Sequence, residues 1–260
     1  MNPVMEVLLS RKSVRAYEDR PIPEEVRAEI LHAAMRAPTA GNMMLYSIID
    51  VREQRAKDIL ARTCDNQPFI ATAPLVLLFL ADYQRWFDYF LVSGVEQWCE
   101  RRGEAMRKPE EGDLFLACCD ALIAAHSAVI AAESLGLGSC YIGDIMENCE
   151  AHRELFDLPA YTFPIALVCF GYPTAQQKRR RLTSRFGSEF IVFENRYRRL
   201  GAAELEEMHR PMTERMLRDG VDPETPANLG QSVYSQKFAA GFAKEMNRSV
   251  RAMLQAWTPD

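Results

Sequence analysis

Most of the familiar catalytic signatures are missing. The 260 residues contain only four histidines, with no G-x-S-x-G, no H-E-x-x-H and no Walker loop. That removes the usual marks of serine hydrolases, zinc proteases and P-loop nucleotide hydrolases. The seven cysteines (Cys64, Cys99, Cys118, Cys119, Cys140, Cys149 and Cys169) include no C-x-x-C pair. Their odd number and scattered spacing speak against a disulfide framework and for a reducing compartment. Cys149 and His152 have the spacing of two metal ligands, but no second pair accompanies them, so no metal site is expected. The best apolar run, residues 73–81, falls short of the roughly 20 residues a membrane helix needs. Residues 1–12 have no apolar stretch of signal-peptide length. A cytoplasmic protein with no membrane partner is the expectation. Positive charge is not in excess either: 31 Lys and Arg face 36 Asp and Glu, a net charge of -5. This argues against a nucleic-acid partner. With 48% hydrophobic and 26% charged residues the composition is that of a folded globular chain.

The pattern of apolar residues sketches the elements. Pro3 stands at a plausible first helical position and opens a short helix ending before Arg11. Pro23 opens a second helix, with Val26, Ile30 and Ala34 on one face, which Pro38 and Gly41-Asn42 stop. Residues 47–51 read as a strand, 53–64 as a helix and 74–81 as a strand buried on both faces. Residues 114–137 are apolar nearly all round, the pattern of a central buried helix, with Gly136 and Gly138 at its end. Cys118 and Cys119 are expected there as small hydrophobes and His126 as a core histidine. Extended segments are expected at 139–143, 163–170 and 190–193, and a helix at 147–156. Leu205, Met208, Met212 and Met216 form one further helical stripe. Phe238, Phe242, Met246, Val250, Leu254 and Trp257 form another, which must bury its apolar side on its own core or on a second chain. Few strands and many helices make an α+β or α/β protein.

Three segments have the composition of a site. Arg11-Lys12-Ser13-Val14-Arg15 places three cations and a hydroxyl within five residues, which suits a phosphate. It equally suits a solvated basic turn paired with Glu18 and Asp19. Lys178-Arg179-Arg180-Arg181 follows a strand end, where α/β proteins tend to bind ligands, and has no interleaved aromatics of the kind a nucleic-acid patch shows. The third is Leu135 to Asp144, rich in glycine. It reads either as a helix C-cap and turn or as backbone that approaches a flat ligand closely. It is not a dinucleotide fingerprint, because it follows a helix rather than a strand.

Taken together, Arg11-Lys12-Ser13-Val14-Arg15-Ala16-Tyr17, Pro21-Ile22-Pro23-Glu24, the stretch from Ala37 to Asn42, the stretch from Ala132 to Gly143, and Phe170-Gly171-Tyr172-Pro173 before a basic loop resemble the nitroreductase family of FMN-dependent oxidoreductases. They occur in that family's order over roughly residues 3–200. The basic loop and Phe193-Glu194-Asn195 look most like its larger branch, the oxygen-insensitive nitroreductases and flavin reductases. The resemblance implies an α+β fold with a central, mostly antiparallel sheet surrounded by helices. It also implies an intertwined homodimer, with an FMN-binding core at 1–200 and a helical C-terminal extension at 201–260 that packs on core and partner.

Carried over by position, the resemblance implies that Arg11, Lys12, Ser13 and Arg15 hold the FMN phosphate and ribityl chain, with Arg179 and Arg181 closing from the other side. Thr39, Gly41 and Asn42 would line the flavin, partly from the partner chain. Gln67 would bond the pyrimidine edge, and Tyr141, Ile142, Gly143 and Asp144 would pass beneath the ring. No side chain is implied as catalytic, since the flavin itself accepts and passes electrons. The implied activity is ping-pong reduction of nitroaromatic, quinone or flavin acceptors by NADH or NADPH. A flavoprotein of this fold with another reductive task, or a non-catalytic flavin or nucleotide binder, are the alternatives. Two departures stand out. Asp144 occupies a position where the larger branch often has a second glycine, and its carboxylate is expected to disfavour an anionic reduced flavin. Residues 219–230 carry no basic residue, where relatives can hold arginines for the NADPH 2′-phosphate, which speaks against an NADPH preference and for NADH or another donor. The aromatic region from Tyr83 to Asp113 is expected either to cover the pocket mouth or to pack on the core.

Overall fold

The computed structural model describes residues 2–218 and 228–258. The elements are helices α1 (Pro3–Ser10) and α2 (Glu24–Met35), strand β1 (Tyr46–Asp50), helices α3 (Gln54–Thr63) and α4 (Phe69–Thr72), strand β2 (Leu75–Asp82), and helices α5 (Gln84–Val92), α6 (Val95–Glu100) and α7 (Glu111–Ser134). Strand β3 (Gly138–Ile142), helix α8 (Cys149–Leu155), strand β4 (Thr162–Gly171) and helices α9 (Ala175–Arg179), α10 (Ala202–Arg218), α11 (Leu229–Val233) and α12 (Gly241–Trp257) complete the chain. The described chain forms two compact units, residues 1–181 with 245–260, and residues 182–244. The end of α12 therefore belongs with the first unit. The segment 219–227, most of the stretch without basic residues, lies outside the described residues.

The first unit is built on a four-stranded antiparallel sheet in the order β1-β2-β4-β3. Every residue of β2 is buried, because the sheet is covered on both faces. Leu75, Leu77 and Phe79 point into a cluster with Ile30 of α2 and Ala121, Ala125 and Val129 of α7. Val76, Leu78 and Leu80 point the other way, onto Leu60 of α3, Ile70 and Ile142. This is the period-two alternation of a pleated strand between two apolar layers. Pro164 lies inside β4, and the ladder with β2 shifts register between Phe79 and Leu80 opposite it. A proline lacks the N–H for a regular ladder, so it is accommodated at such an irregularity.

Several sequence expectations are corrected here. Helix α7 is long and apolar enough to cross a bilayer by length and composition, so residues 73–81 are not the best such segment; the acids within α7 interrupt its apolar run. It packs instead on α2 and the sheet. It is not buried all round: Phe115 is 71% exposed, and Leu116, Cys119, Leu122, Ile123 and His126 are exposed beside it. An all-apolar surface cannot tell which side the sheet covers and which side is left open. Residues 190–193 form no strand. They follow a 3-10 turn at Ser188–Phe190, with Ile191 and Val192 exposed, and no sheet edge is present among the described residues of that unit. The C-terminal stripe holds for Val250, Leu254 and Trp257, which pack on the core. Ser249, Met253 and Trp257 form the buried side of α12, while Phe238 is exposed in a turn before the helix. Trp257 seals this face, packing edge-on against Tyr161 and donating its indole N–H to the Glu110 carbonyl at 3.1 Å.

Candidate functional site

Local chemistry first ends α1 and then stitches the following chain to the sheet. Asn2 caps the helix, accepting from the Val4 N–H at 2.9 Å, and the backbone turns extended at Arg11. Residues 13–18 then run along the sheet margin. Ser13 pairs with Ser139 as a parallel bridge and Tyr17 with Pro173 as an antiparallel one. The Val14 N–H donates to the Ser139 carbonyl at 2.8 Å and the Glu18 N–H to the Tyr172 carbonyl at 2.7 Å. The Tyr17 hydroxyl donates to the carbonyls of Val14 and Cys169 at 2.8 and 3.2 Å. Such close approach needs glycine on the sheet side. A Cβ at Gly138 would stand 2.5 Å from a Val14 methyl, and one at Gly171 would stand 2.7 Å from the Tyr17 ring. Gly138 thus admits this segment rather than a ligand. Gly136, with φ +80°, ends α7 as a left-handed cap.

The same stitching joins the two cationic segments. The Lys12 ammonium donates to the carbonyls of Lys178 at 2.7 Å and Arg180 at 2.6 Å. The Arg180 guanidinium reaches back to the Ser13 carbonyl at 3.2 Å, and Lys178 pairs with Glu18 at 3.0 Å. Residues 160 or more apart in sequence therefore share one cationic surface. Lys12 serves as the cross-link between the segments, and Arg180, to which the resemblance gave no role of its own, is the arginine that bonds across. Arg15, Arg179 and Arg181 are exposed at this junction's two segments. Arg11 is partly buried, and its Nε is sealed from solvent with no partner. On the inner side Glu133 accepts from the Ser139 hydroxyl at 2.9 Å. Burial raises the Glu133 pKa, and the charges of Arg11 and Lys12 counter that rise. Burial likewise raises the Cys140 thiol, opposed by Arg15, Arg11 and Arg180, so the cations' field is felt down to β3. Burial pushes Tyr141 up to about 12, against the pull of Arg11.

Strand β3 leads from this surface into a 3-10 turn at Gly143–Met146. Gly143 is exposed, and nothing lies within 4 Å of where its Cβ would be. Beside it Gln67 donates its amide to Asp144 at 2.8 Å and to the Cys64 carbonyl at 3.0 Å. Gln67, Gly143 and Asp144 therefore form one cluster with the end of β3. Behind Asp144 lies Glu147, 4% exposed and hydrogen-bonded to the Asp144 carboxylate. Burial first, then Asp144, Asp65 and Glu245, push its carboxyl up to about 8. Its Oε1 is buried without a partner. Sequence inspection offered no signal for Glu147, which reads as one more charge in an acidic helix start.

The Thr39–Asn42 loop is held elsewhere. Asp120 of α7, 2% exposed, accepts from the Ala40 N–H at 2.9 Å and the Leu45 N–H at 3.1 Å. The Thr39 hydroxyl accepts from the Met44 N–H at 3.2 Å, and the Trp86 indole donates to the Met43 carbonyl at 2.7 Å. Gly41, Asn42 and Met44 all have positive φ, a tightly folded loop with Gly41 and Asn42 exposed. Trp86, Phe87 and Phe90 pack against the third core cluster with Tyr161 and Trp257, so these aromatics of 83–113 serve packing. Asp120 and Glu133 lie thirteen residues apart on one helix, about 20 Å along its axis. The loop and the cationic surface thus sit toward opposite ends of α7. Cys149 and His152 gather no further ligands, and no group of three metal-ligating side chains occurs among the described residues. The His152 ring bonds the Ile145 carbonyl at 2.9 Å and the Thr63 hydroxyl at 2.8 Å instead.

A cationic surface with a sealed, unpartnered arginine nitrogen, leading to an open glycine flanked by an amide side chain, fits an organic phosphate carrying a flat polar ring. Comparisons with known proteins agree in kind. The FMN reductase (NAD(P)H) of Bacillus subtilis is 32% identical over 180 residues, 69% of this chain and 70% of that protein. The oxygen-insensitive NADPH nitroreductase of Salmonella typhimurium is 30% identical over 200 residues, 77% of each chain. Among solved structures, NfrA2 of B. megaterium matches with a TM-score of 0.81 at 27% identity, covering 98% of this chain and 97% of that one. The sequence model of the nitroreductase family matches residues 8–172, a span from the end of α1 through Gln67 and Gly143 to the corner after β4. This chain belongs to the nitroreductase family.

Proposed function

We propose that this chain is an FMN-dependent oxidoreductase that passes electrons from NADH or NADPH to nitroaromatic, quinone or flavin acceptors in a ping-pong cycle, as a homodimer. The observation that supports this most directly is the junction of residues 11–15 with 178–181 at the mouth of a site ending in open Gly143. Arg11, Ser13 and Arg15 would bind the phosphate, with Arg179 and Arg181 closing on it from the second segment. Lys12 holds those segments together and adds charge. Gln67 would bond the polar edge of the ring, exchanging its bond to Asp144 for one to the cofactor, above Tyr141, Ile142 and Gly143. FMN, when bound, supplies a ring that takes up a hydride and yields electrons to a second molecule. The protein's part is then to place and polarise, which explains why no side chain is assigned a catalytic role. Relatives named for NADPH or for NAD(P)H support a nicotinamide donor.

The dimer is supported by what the single chain leaves uncovered. Val4, Met5, Leu8 and Leu9 of α1 are exposed, as are Phe115, Leu116, Leu122 and Ile123 of α7. Monomeric proteins rarely display so much apolar surface on neighbouring helices, and α1 packs on α7. The distance of the Thr39–Asn42 loop from the cations, some 20 Å along α7, supports a role for it at least partly in a partner's site.

The test is direct. Purified protein is expected to be yellow, or to become so on adding FMN, and to bleach under anaerobic conditions when NADH or NADPH is titrated separately. An acceptor added afterwards restores the colour. Protein that binds no FMN, or bound flavin that neither nicotinamide reduces, would refute the proposal. Sedimentation is expected to give twice the chain mass.

A further inference from the structure

The buried carboxyl behind Asp144 has no part in binding the cofactor, yet the fold gives it an unusual setting. Glu147 ends the 3-10 turn that starts at Gly143, and its N–H donates to the Asp144 carbonyl at 3.0 Å. Its carboxyl meets the Asp144 side chain, while the other Asp144 contact is Gln67 at 2.8 Å. A line of hydrogen-bonding groups therefore runs from a sealed interior position to the open space beside Gly143. Two turns with unusual backbone frame it: Asp65, Asn66 and Asn148 all have positive φ without being glycine. They are tied together by the Asn148 amide donating to the Thr63 carbonyl at 2.8 Å. Strained backbone of this sort persists where the surroundings enforce it, commonly around working sites.

An ionised Glu147 would be poorly served here. Its Oε1 is buried with no donor, and a buried carboxylate without donors is held neutral. The titratable groups that face it are Asp144 on its own turn, Asp65 and Cys64 after α3, Glu245 on α12 and His152 on α8. Burial lowers the His152 pKa and so disfavours a charge on its ring. Arg248 is engaged by Glu245 and Glu150. With further acids around it and no donor to its Oε1, Glu147 holds its proton.

We propose that Glu147 stores a proton inside the site and delivers it through Asp144 to an acceptor bound at the open face of Gly143. The proposal rests on the reductive reading above. Reduction of a quinone by NAD(P)H joins one hydride from the nicotinamide with one further proton, giving hydroquinone and NAD(P)+. That proton leaves the carboxyl pair, and the pair takes another from water. Glu147 acts through Asp144, so it is a positioning and proton-holding residue.

The test uses the FMN-loaded protein, Glu147→Gln and Glu147→Asp. Infrared spectra of the wild type near pH 7 are expected to show a protonated carboxyl C=O band that shifts in D2O and is missing in Glu147→Gln. With a soluble benzoquinone as acceptor, wild-type kcat is expected to fall as pH rises through about 8. Glu147→Gln should lose about a hundredfold in kcat at pH 7, the low end for a proton donor. It should also lose that pH break, with FMN occupancy and the KM for nicotinamide unchanged, and Glu147→Asp should restore the break. An unchanged kcat and pH profile in Glu147→Gln overturns the proposal. So does a wild-type spectrum without the band, a measurement that needs no variant to fold. The band is also readable in flavin-free protein, so failure to bind FMN counts against the functional reading alone, and a missing band against the proton store alone.

Discussion

Replacing Asp120 by alanine should be among the more costly single changes outside the sheet. Its carboxylate is 2% exposed and accepts two backbone N–H bonds, from Ala40 and Leu45. Truncation strands both amides. Leu45 is fully buried, and an unsatisfied buried donor costs about 1–3 kcal/mol. Ala40 is half-buried, so water recovers part of its loss. The sum is roughly 2–4 kcal/mol. Asp120→Asn keeps the volume and one acceptor oxygen but turns an N–H donor toward an amide, so about half that cost is expected. Urea unfolding followed by circular dichroism would read this directly. With a slope of about 3 kcal/mol per molar, the midpoint of Asp120→Ala should fall by about 1 M. Because the loop carries Thr39, Gly41 and Asn42, both variants should also hold FMN less well. A midpoint within about 0.2 M of wild type, equivalent to well under 1 kcal/mol, would show that this pinning contributes little.

Other consequences are equally open to measurement. Gly138→Ala should destabilise by about 1–3 kcal/mol through overpacking against Val14, and Val14→Ala in the same chain should relieve part of it, a coupling visible in a double-mutant cycle. Arg15→Ala and Arg181→Ala should each weaken FMN binding about 10- to 100-fold, the loss of a charge-assisted contact of about 1.5–3 kcal/mol; flavin fluorescence titration checks it, and unchanged retention in both would count against the phosphate site. Ile123→Arg should give a monomer in sedimentation, since it places a charge in the exposed apolar face of α7. Flavin-free protein should show a pH effect from Glu147. Folding raises this carboxyl from 4.5 to about 8, so the folded state binds the extra proton, and the contribution is full below about 4.5 and lost as pH climbs through 8. The wild-type minus Glu147→Gln difference in unfolding free energy should decline across that window; a flat difference would refute it.

Much of this protein is written locally in its sequence. The period-two run of β2, the proline at the start of α1, the stop at Pro38 and the glycine cap at Gly136 each act within a few residues, so reading along the chain finds them. The resemblance of its motifs to a known family likewise names Arg11 to Arg15, Gln67 and Gly143 as members of one site. What the chain cannot state locally is which surface finds a partner. The apolar girdle of α7 has no preferred side until the sheet covers one, and Ile191 and Val192 form no strand, since no sheet edge is present among the described residues of their own unit. The importance of Asp120 and Glu147 comes from amides and carboxyls that are neighbours only after folding, as does the cross-link from Lys12 to the Lys178 and Arg180 carbonyls. Burial and long-range hydrogen bonding depend on residues far away in sequence. Tertiary structure alone decides whether a charge is solvated, paired or held with its proton.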